Sequence, residues 1–269
     1  MPPKLDYPEL TIARRSWRYT PDGGCLANKV ILVTGAGDGI GRAAAKTFAV
    51  FGAHVVLLGK TRSKLEAVFD WIAGNTETKP VIVPCDLLGM DESSANGLRD
   101  AIDQDYGRLD GVLHNASLLG PKVPIEHYPP EHWQNAMQVN AYAPFLLTHT
   151  LLPLMQAGEG ASIIMTSSTV GRQGRAYWGA YAVSKFALEG LMQVLADELE
   201  NAGRVRVNSL NPGGTRTAMR REAYPSEDPQ MLPLPESHMD LYLYLMSDAS
   251  IGITGQAFDA RTWQYSTQP

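Results

Sequence analysis

Tyr181 and Lys185 stand four residues apart in Tyr181-Ala182-Val183-Ser184-Lys185, a spacing that sets both on one face of a helix, one turn from each other. An ammonium at that distance favours the phenolate, so Lys185 is expected to lower the phenol pKa from its ordinary ~10. A phenol tuned toward neutrality donates or accepts a proton at working pH. The same pair also suits an ordinary surface helix, and its weight comes from the residues ahead of it. Ser168 follows the strand-like run Ser162-Ile163-Ile164-Met165-Thr166. Its hydroxyl therefore leaves a strand end while Tyr181 enters on the next helix, which lets both converge on one carbonyl oxygen. Asn140 lies within a long helical pattern from Glu131 to Met155, ahead of Pro144, which removes a backbone hydrogen bond and can open the helix locally. Its amide could hold a water; the other reading is an exposed or core-bridging Asn.

The elements that must carry these groups alternate. Val30-Ile31-Leu32-Val33 is a short β-branched run that suits a strand buried on both faces. It enters Thr34-Gly35-Ala36-Gly37-Asp38-Gly39-Ile40-Gly41 and then the helix-favouring Arg42-Ala43-Ala44-Ala45-Lys46-Thr47-Phe48. A strand, a glycine-rich turn and a helix N-terminus make an anion site that a pyrophosphate can approach closely. A second strand, His54-Val55-Val56-Leu57-Leu58, ends in Gly59-Lys60-Thr61-Arg62. An acid selecting the NAD ribose is expected there and is missing until Glu66, whereas Lys60 and Arg62 would attract a 2′-phosphate. That pattern predicts NADP(H) in preference to NAD(H). A solvated basic loop is the other reading.

Further strands are expected at Val81-Ile82-Val83, ending in Asp86-Leu87, and at Gly111-Val112-Leu113, ending in His114-Asn115-Ala116. Asp86 either accepts from an adenine amino group or caps the turn after it. After Ser162–Thr166 come Val205–Leu210, leading to Asn211-Pro212-Gly213-Gly214-Thr215, and Gln256-Ala257-Phe258. A proline-studded loop (Pro225, Pro229, Pro233, Pro235) and a helix from about Glu236 to Met246 separate the last two. Strands alternating with helical stretches predict an α/β fold: a single Rossmann-type, doubly wound parallel sheet of about seven strands with helices on both faces. Ligands should gather at the carboxyl ends of its strands. Residues 1–27 read as an irregular extension, with Pro2, Pro3, Pro8, Pro21 and Gly23-Gly24. The basic cluster Arg14-Arg15-Ser16-Trp17-Arg18 is either a partner-binding arm or a segment lying on the body or on a neighbouring subunit. Residues 28–269 read as one domain, with a substrate loop at about 214–238.

Composition narrows the class. At 44% hydrophobic and 19% charged over 269 residues, the chain suits a globule with a sizeable core. A net charge of −5 gives no reason to expect nucleic acid or an anionic membrane, and no apolar run approaches the ~20 residues that span a bilayer. Charges at Lys4, Asp6 and Glu9, with no apolar signal core, argue against secretion. Cys25 and Cys85 lack CxxC spacing and read as reduced thiols of a cytoplasmic protein.

With these stretches in place, residues 28–259 resemble the short-chain dehydrogenase/reductase family. The likeness rests on Thr34-Gly35-x-x-x-Gly39-Ile40-Gly41, Asn115-Ala116, Asn140, Ser168, Tyr181-x-x-x-Lys185 and Pro212-Gly213, all in the family's order. Asp110–Asn115 and the run from Ser168 to Arg175 look like its YciK-type bacterial subgroup. The resemblance implies strand order 3-2-1-4-5-6-7 and NAD(P)(H)-dependent hydride transfer between nicotinamide and a carbonyl or alcohol carbon. It implies that Tyr181 is the proton donor or acceptor and that Lys185 lowers its pKa and bonds the nicotinamide ribose. Ser168 would orient the carbonyl, and Asn140 would hold a water relaying protons to Lys185. Pro212, Gly213 and Thr215 would border the nicotinamide. Gly35, Gly37, Asp38, Gly39, Ile40, Gly41, Lys60, Arg62, Asp86, Leu87, Asn115 and Ala116 complete the expected cofactor contacts. Homodimers or homotetramers through the helices of Asn140 and Tyr181 are expected, the latter carrying Ala187, Leu188, Leu191, Met192, Val194 and Leu195. Three positions depart from the pattern: Ser117 in place of a common Gly, His114 in place of a common Asn, and Asp259-Ala260-Arg261 in place of a frequent glycine pair.

Rival classes have less behind them. A hydrolase would need a Gly-x-Ser-x-Gly elbow, which is absent. His127 and His132 lie five apart among prolines with no His-Glu-x-x-His, so no metal site is expected. A catalytically silent NADP-binding sensor or scaffold is the alternative on the same fold, and it has no use for all four of Asn140, Ser168, Tyr181 and Lys185. For the substrate, Arg172, Gln173, Arg175, Tyr177 and Trp178, with Arg216, Arg220 and Arg221, suggest a carbonyl compound bearing an anionic group. Alternatively these arginines pair with Glu222, Glu227 and Asp228 and pin the proline-rich loop.

Overall fold

The computed structural model describes residues 7–265; Pro2, Pro3, Lys4 and Asp6, read above as part of the extension, lie outside them. Seven strands form one sheet: β1 (Val30–Thr34), β2 (His54–Gly59), β3 (Val81–Pro84), β4 (Gly111–His114), β5 (Ala161–Thr166), β6 (Val205–Asn211) and β7 (Ala257–Asp259). Their order is β3-β2-β1-β4-β5-β6-β7 and every pairing is parallel, as expected. Alternate residues of β1 serve opposite faces. Val30 and Leu32 join one core with Val56, Leu58, Val112 and Ile163, while Ile31 and Val33 join another with Val55, Leu57, Leu113 and Ile164. Burial on both faces is why these strands read as continuous apolar runs rather than alternating ones.

On the second face lie α2 (Gly39–Val50), α3 (Arg62–Asn75) and α9 (Met239–Met246). The first face is covered by α4 (Glu92–Tyr106), α6 (Ala143–Gln156) and α7 (Gly179–Glu200). The helical run expected over Glu131–Met155 is α5 (Pro130–Met137), a π turn at Gln138–Tyr142 and then α6. Pro144 has no N–H to give to the carbonyl of Asn140, four residues back, so the α ladder fails at that point. The proline-studded loop holds a further helix, α8 (Ala218–Ala223), and the helix expected from Glu236 starts as a 3₁₀ turn at Pro235–His238 before α9.

The first 27 residues are not irregular throughout. Pro8–Ala13 is helical, α1, with Pro8 in the first turn, where the missing N–H costs nothing. The segment lies on the body of the same chain. Tyr7 donates its hydroxyl to Glu236 Oε1 (3.0 Å), Trp17 Nε1 donates to the Glu236 carbonyl (3.0 Å), and the Arg18 backbone N–H donates to Asp240 (2.7 Å). Arg18 Nη1 reaches the carbonyls of Ala260 and Trp263, both at 2.8 Å.

Candidate active site

Register alone brings the chemistry together, because the strands end side by side: Val33 lies opposite Leu113, His114 opposite Met165, and Thr166 opposite Leu210. Thr34 locks two of these ends. Its Oγ1 accepts from the backbone N–H groups of Asn115 (2.9 Å) and Ala116 (3.0 Å). Above the strand ends runs a cleft with Gly35, Gly37, Asp38, Gly39 and Ile40 at one end, Asp86, Leu87, Asn115 and Ala116 along its wall, and Ser168, Tyr181, Lys185, Pro212, Gly213 and Thr215 at the other.

The turn fits a dinucleotide phosphate. Gly35 has φ +68°, a left-handed conformation that glycine takes without strain. A Cβ on Gly41 would strike the Gly35 carbonyl and the Asn115 amide, so the helix N-terminus can sit against the turn only because that side chain is absent. Gly41 is buried under the turn and outside the cleft lining. Asp38 caps α2 by accepting from the Gly39 N–H (2.7 Å), and it pairs with Lys64 Nζ (2.5 Å). That lysine holds the Asp38 carboxyl below its ordinary range. Asp86 Oδ1 accepts from the Leu88 N–H at 3.1 Å, which is the capping role.

Of the two cations expected near the ribose, Lys60 lines the cleft. Arg62 does not: its guanidinium pairs with Glu66 one helical turn on (2.8 Å) and stays in solvent. Lys64, two residues further along α3, lines the cleft instead. Nothing but helix phase separates the two, and the run Lys60-Thr61-Arg62-Ser63-Lys64 does not say where α3 starts.

At the other end, Tyr181 and Lys185 are 8% and 2% exposed. The lysine Nζ lies 5.6 Å from the Tyr181 ring centroid and donates to the Thr166 carbonyl at 2.8 Å. Burial pushes the phenol up to about 12, against a hydrogen bond from Ser168 that lowers it. This reverses the expectation that Lys185 brings the phenol down. Burial outweighs any help from an ammonium directed at a backbone carbonyl, and the lysine is itself pushed down to about 8 by burial, with Glu189 opposing. Asn140, 1% exposed, uses its whole amide within the protein. Its Oδ1 accepts from the Leu118 N–H (2.7 Å), and its Nδ2 donates to the Leu118 carbonyl and the Ser184 hydroxyl (both 2.9 Å). The side chain is therefore a clamp between the loop after β4 and α7, not a free water ligand.

Two groups that the sequence did not single out stand behind residues that line this end. His238 Nε2 lies 3.1 Å from Thr215 Oγ1, and burial holds the imidazole down at about 4. Lys122 lies over Trp178 and Tyr224 at 4.8 and 4.5 Å. Ser117 lines the cleft with a buried hydroxyl that has no partner among the described residues. His114 sits deeper, bonded to Thr148 Oγ1 at 2.9 Å.

A phenol and a serine hydroxyl line one cleft with a glycine-rich turn at the strand ends of a seven-stranded parallel sheet, and residues 29–228 match the family model described as short chain dehydrogenase. The chain belongs to the short-chain dehydrogenase family. Its similarity to the uncharacterized oxidoreductase YciK of Escherichia coli (strain K12) is 53% identity over 243 residues, covering 90% of this chain and 96% of that protein. A short chain dehydrogenase from Shigella flexneri 2a str. 301, solved in complex with NADP, is 52% identical with a TM-score of 0.87, over 89% of this chain and 100% of that one. Another from Escherichia coli CFT073, complexed with NADPH, is 53% identical with a TM-score of 0.87, over 90% and 100%. Like other short-chain dehydrogenases it is an oxidoreductase, and none of its described helices is long and apolar enough to cross a membrane.

Proposed function

We propose that the chain is an NADP(H)-linked oxidoreductase that interconverts a small-molecule carbonyl compound and its alcohol, with Tyr181 as general acid and base. The observation that carries this reading is the buried Tyr181 hydroxyl beside Ser168, at the opposite end of one cleft from the glycine-rich turn. The dinucleotide, when bound, supplies or accepts the hydride. Tyr181 gives its proton to the oxygen that becomes the alcohol and takes it back in the reverse direction. With its pKa raised, the phenol keeps its proton at neutral pH, the form that reduction needs. Ser168 orients the same oxygen. Lys185 places a positive charge under the phenol, and Asn140 holds the loop of Leu118 against α7 so that this end keeps its shape. The Asn140 carbonyl, which Pro144 cannot reach with an N–H, is the acceptor left at that residue for a proton-relaying water. Tyr181→Phe is expected to lower turnover about 10²–10⁴-fold, with NADPH affinity nearly kept. Wild-type turnover in that variant defeats the mechanism.

Preference for NADP(H) is supported by Lys60 and Lys64 on the cleft wall and by the NADP and NADPH complexes of the similar structures. Dissociation constants measured by fluorescence should favour NADPH over NADH. The gap should narrow in Lys60→Ala and Lys64→Ala and persist in Arg62→Ala. Tighter NADH binding by the unaltered protein contradicts this assignment. A symmetric assembly through α6 and α7 accounts for the apolar residues exposed there, Phe145 on α6 with Tyr142 at the end of the π turn before it, and Val183, Phe186 and Val194 on α7.

A further inference from the structure

Beyond Ser168 the cleft adjoins a second cavity, whose wall includes Arg175, Arg220, Arg261, Trp178 and Tyr224 and no carboxylate. The arginines differ in what they are free to do. Arg220 forks onto Glu227 (2.6 and 2.7 Å), and Arg261 Nε lies 3.5 Å from Asp259. Arg172 is spent on Glu189 (2.8 Å), and Arg216 on the carbonyls of Gln230 and Leu232 (both 3.1 Å). Pinning of the loop thus explains Arg216 and Arg220. It does not explain Arg175, whose Nη1 reaches the Tyr224 hydroxyl (3.2 Å). Nor does it explain Lys122, whose Nζ donates to the Ala223 carbonyl (2.8 Å). Among the described residues, neither cation has a carboxylate within ion-pair reach.

Tyr224 collects this charge. Lys122 lies 4.5 Å and the Arg220 guanidinium 3.9 Å from its ring centroid, with Arg175 at its hydroxyl. Of these three cations Arg175 and Arg220 line the cavity with Ser168, Arg220 already paired with Glu227, while Lys122 lies outside the lining, against Trp178 and Tyr224. A guanidinium with N–H groups to spare pairs bidentately with planar or tetrahedral oxyanions, and Arg175 is exposed, open to such a partner.

We propose that the second cavity receives an anionic group of the substrate, a carboxylate or a phosphate, with Arg175 as its main partner, Lys122 as a further source of positive potential, and Trp178 and Tyr224 as an aromatic wall. The proposal rests on the reading that a carbonyl is reduced at Tyr181, and it assigns that carbonyl compound to the acidic class. The test compares kcat/KM with NADPH for phenylpyruvate against its methyl ester, and for glyceraldehyde 3-phosphate against glyceraldehyde, in the wild type, Arg175→Met and Lys122→Met. The charged member of one pair is expected to lead by about 10–100-fold, the size of a charge-assisted hydrogen bond. The leading pair tells carboxylate from phosphate. In Arg175→Met the ratio should fall toward one, mainly through KM. Equal rates within both pairs, or a lead that survives Arg175→Met, overturn the proposal. If no carbonyl is turned over at all, the hydride reading has failed, and titration calorimetry of benzoate and inorganic phosphate into the NADPH-loaded protein judges the cavity separately. Binding lost in Arg175→Met upholds the anion site, and absence of binding overturns it.

Discussion

His114 and His238 are buried and held neutral, down to about 3 and about 4. Burial is the main cause in each, followed by the positive charge of Lys185 for His114 and of Arg18 for His238. As pH falls below the ordinary ~6.5, the unfolded chain takes up a proton on each while the folded chain does not, so stability drops on the acid side. The slope is at most about 1.4 kcal/mol per pH unit for each histidine. Lys185 acts in the opposite window. Its folded pKa of about 8 lies below the ordinary ~10.4, so its burial costs less as pH rises between those values. Thermal midpoints should therefore fall between pH 7 and pH 5, and fall less in His114→Asn. Identical slopes for the two proteins would contradict the assignment. Residue type and chain order make Ser168, Tyr181 and Lys185 legible in the sequence. Distance along the chain hides the rest: Lys64 finds Asp38 across 26 positions, and Thr215 finds His238 across 23 positions and a proline-rich loop.

The segment from Tyr7 to Arg18 behaves as a strap. It holds Glu236, two residues before the histidine that contacts Thr215, so the first helix of the chain supports the far end of the cleft. Tyr7→Phe removes the donor to the buried Glu236 carboxylate. A loss of about 1–3 kcal/mol is expected, a fall of several degrees in the thermal midpoint; an unchanged midpoint means the bond adds nothing. This strap is the element least legible in the sequence, because Pro8 reads as a breaker and is in fact a helix start. Strands are the most legible, since two-sided burial writes them as runs such as Val30–Val33 and Val55–Leu58. The π turn stands between. Pro144 announces a disturbed helix, but not that the disturbance seats Asn140 against Ser184.

At the scale of the whole molecule, Phe186 and Val194 on α7 are 44% and 55% exposed, and Tyr142 and Phe145 are exposed as well. The assembly proposed through this face predicts a dimer or tetramer by light scattering at micromolar concentration, and Phe186→Asp together with Val194→Asp should shift it toward monomer. A monomeric wild type would contradict it. The strap has a further consequence, for timing. Tyr7 and Arg18 make bonds that span 229 and 245 positions. At ribosomal speeds of about 5–20 residues per second, roughly 10–50 s separate synthesis of Tyr7 from that of its partner. During that interval Tyr7 and Trp17 have no Glu236 to bond, and β7, which follows Glu236 in the chain, is still to be made. The ring partners Trp71 and Phe51 are made early and the polar partner Glu236 late, so the strap can close in two stages, and the interval between them is when a chaperone has something to hold.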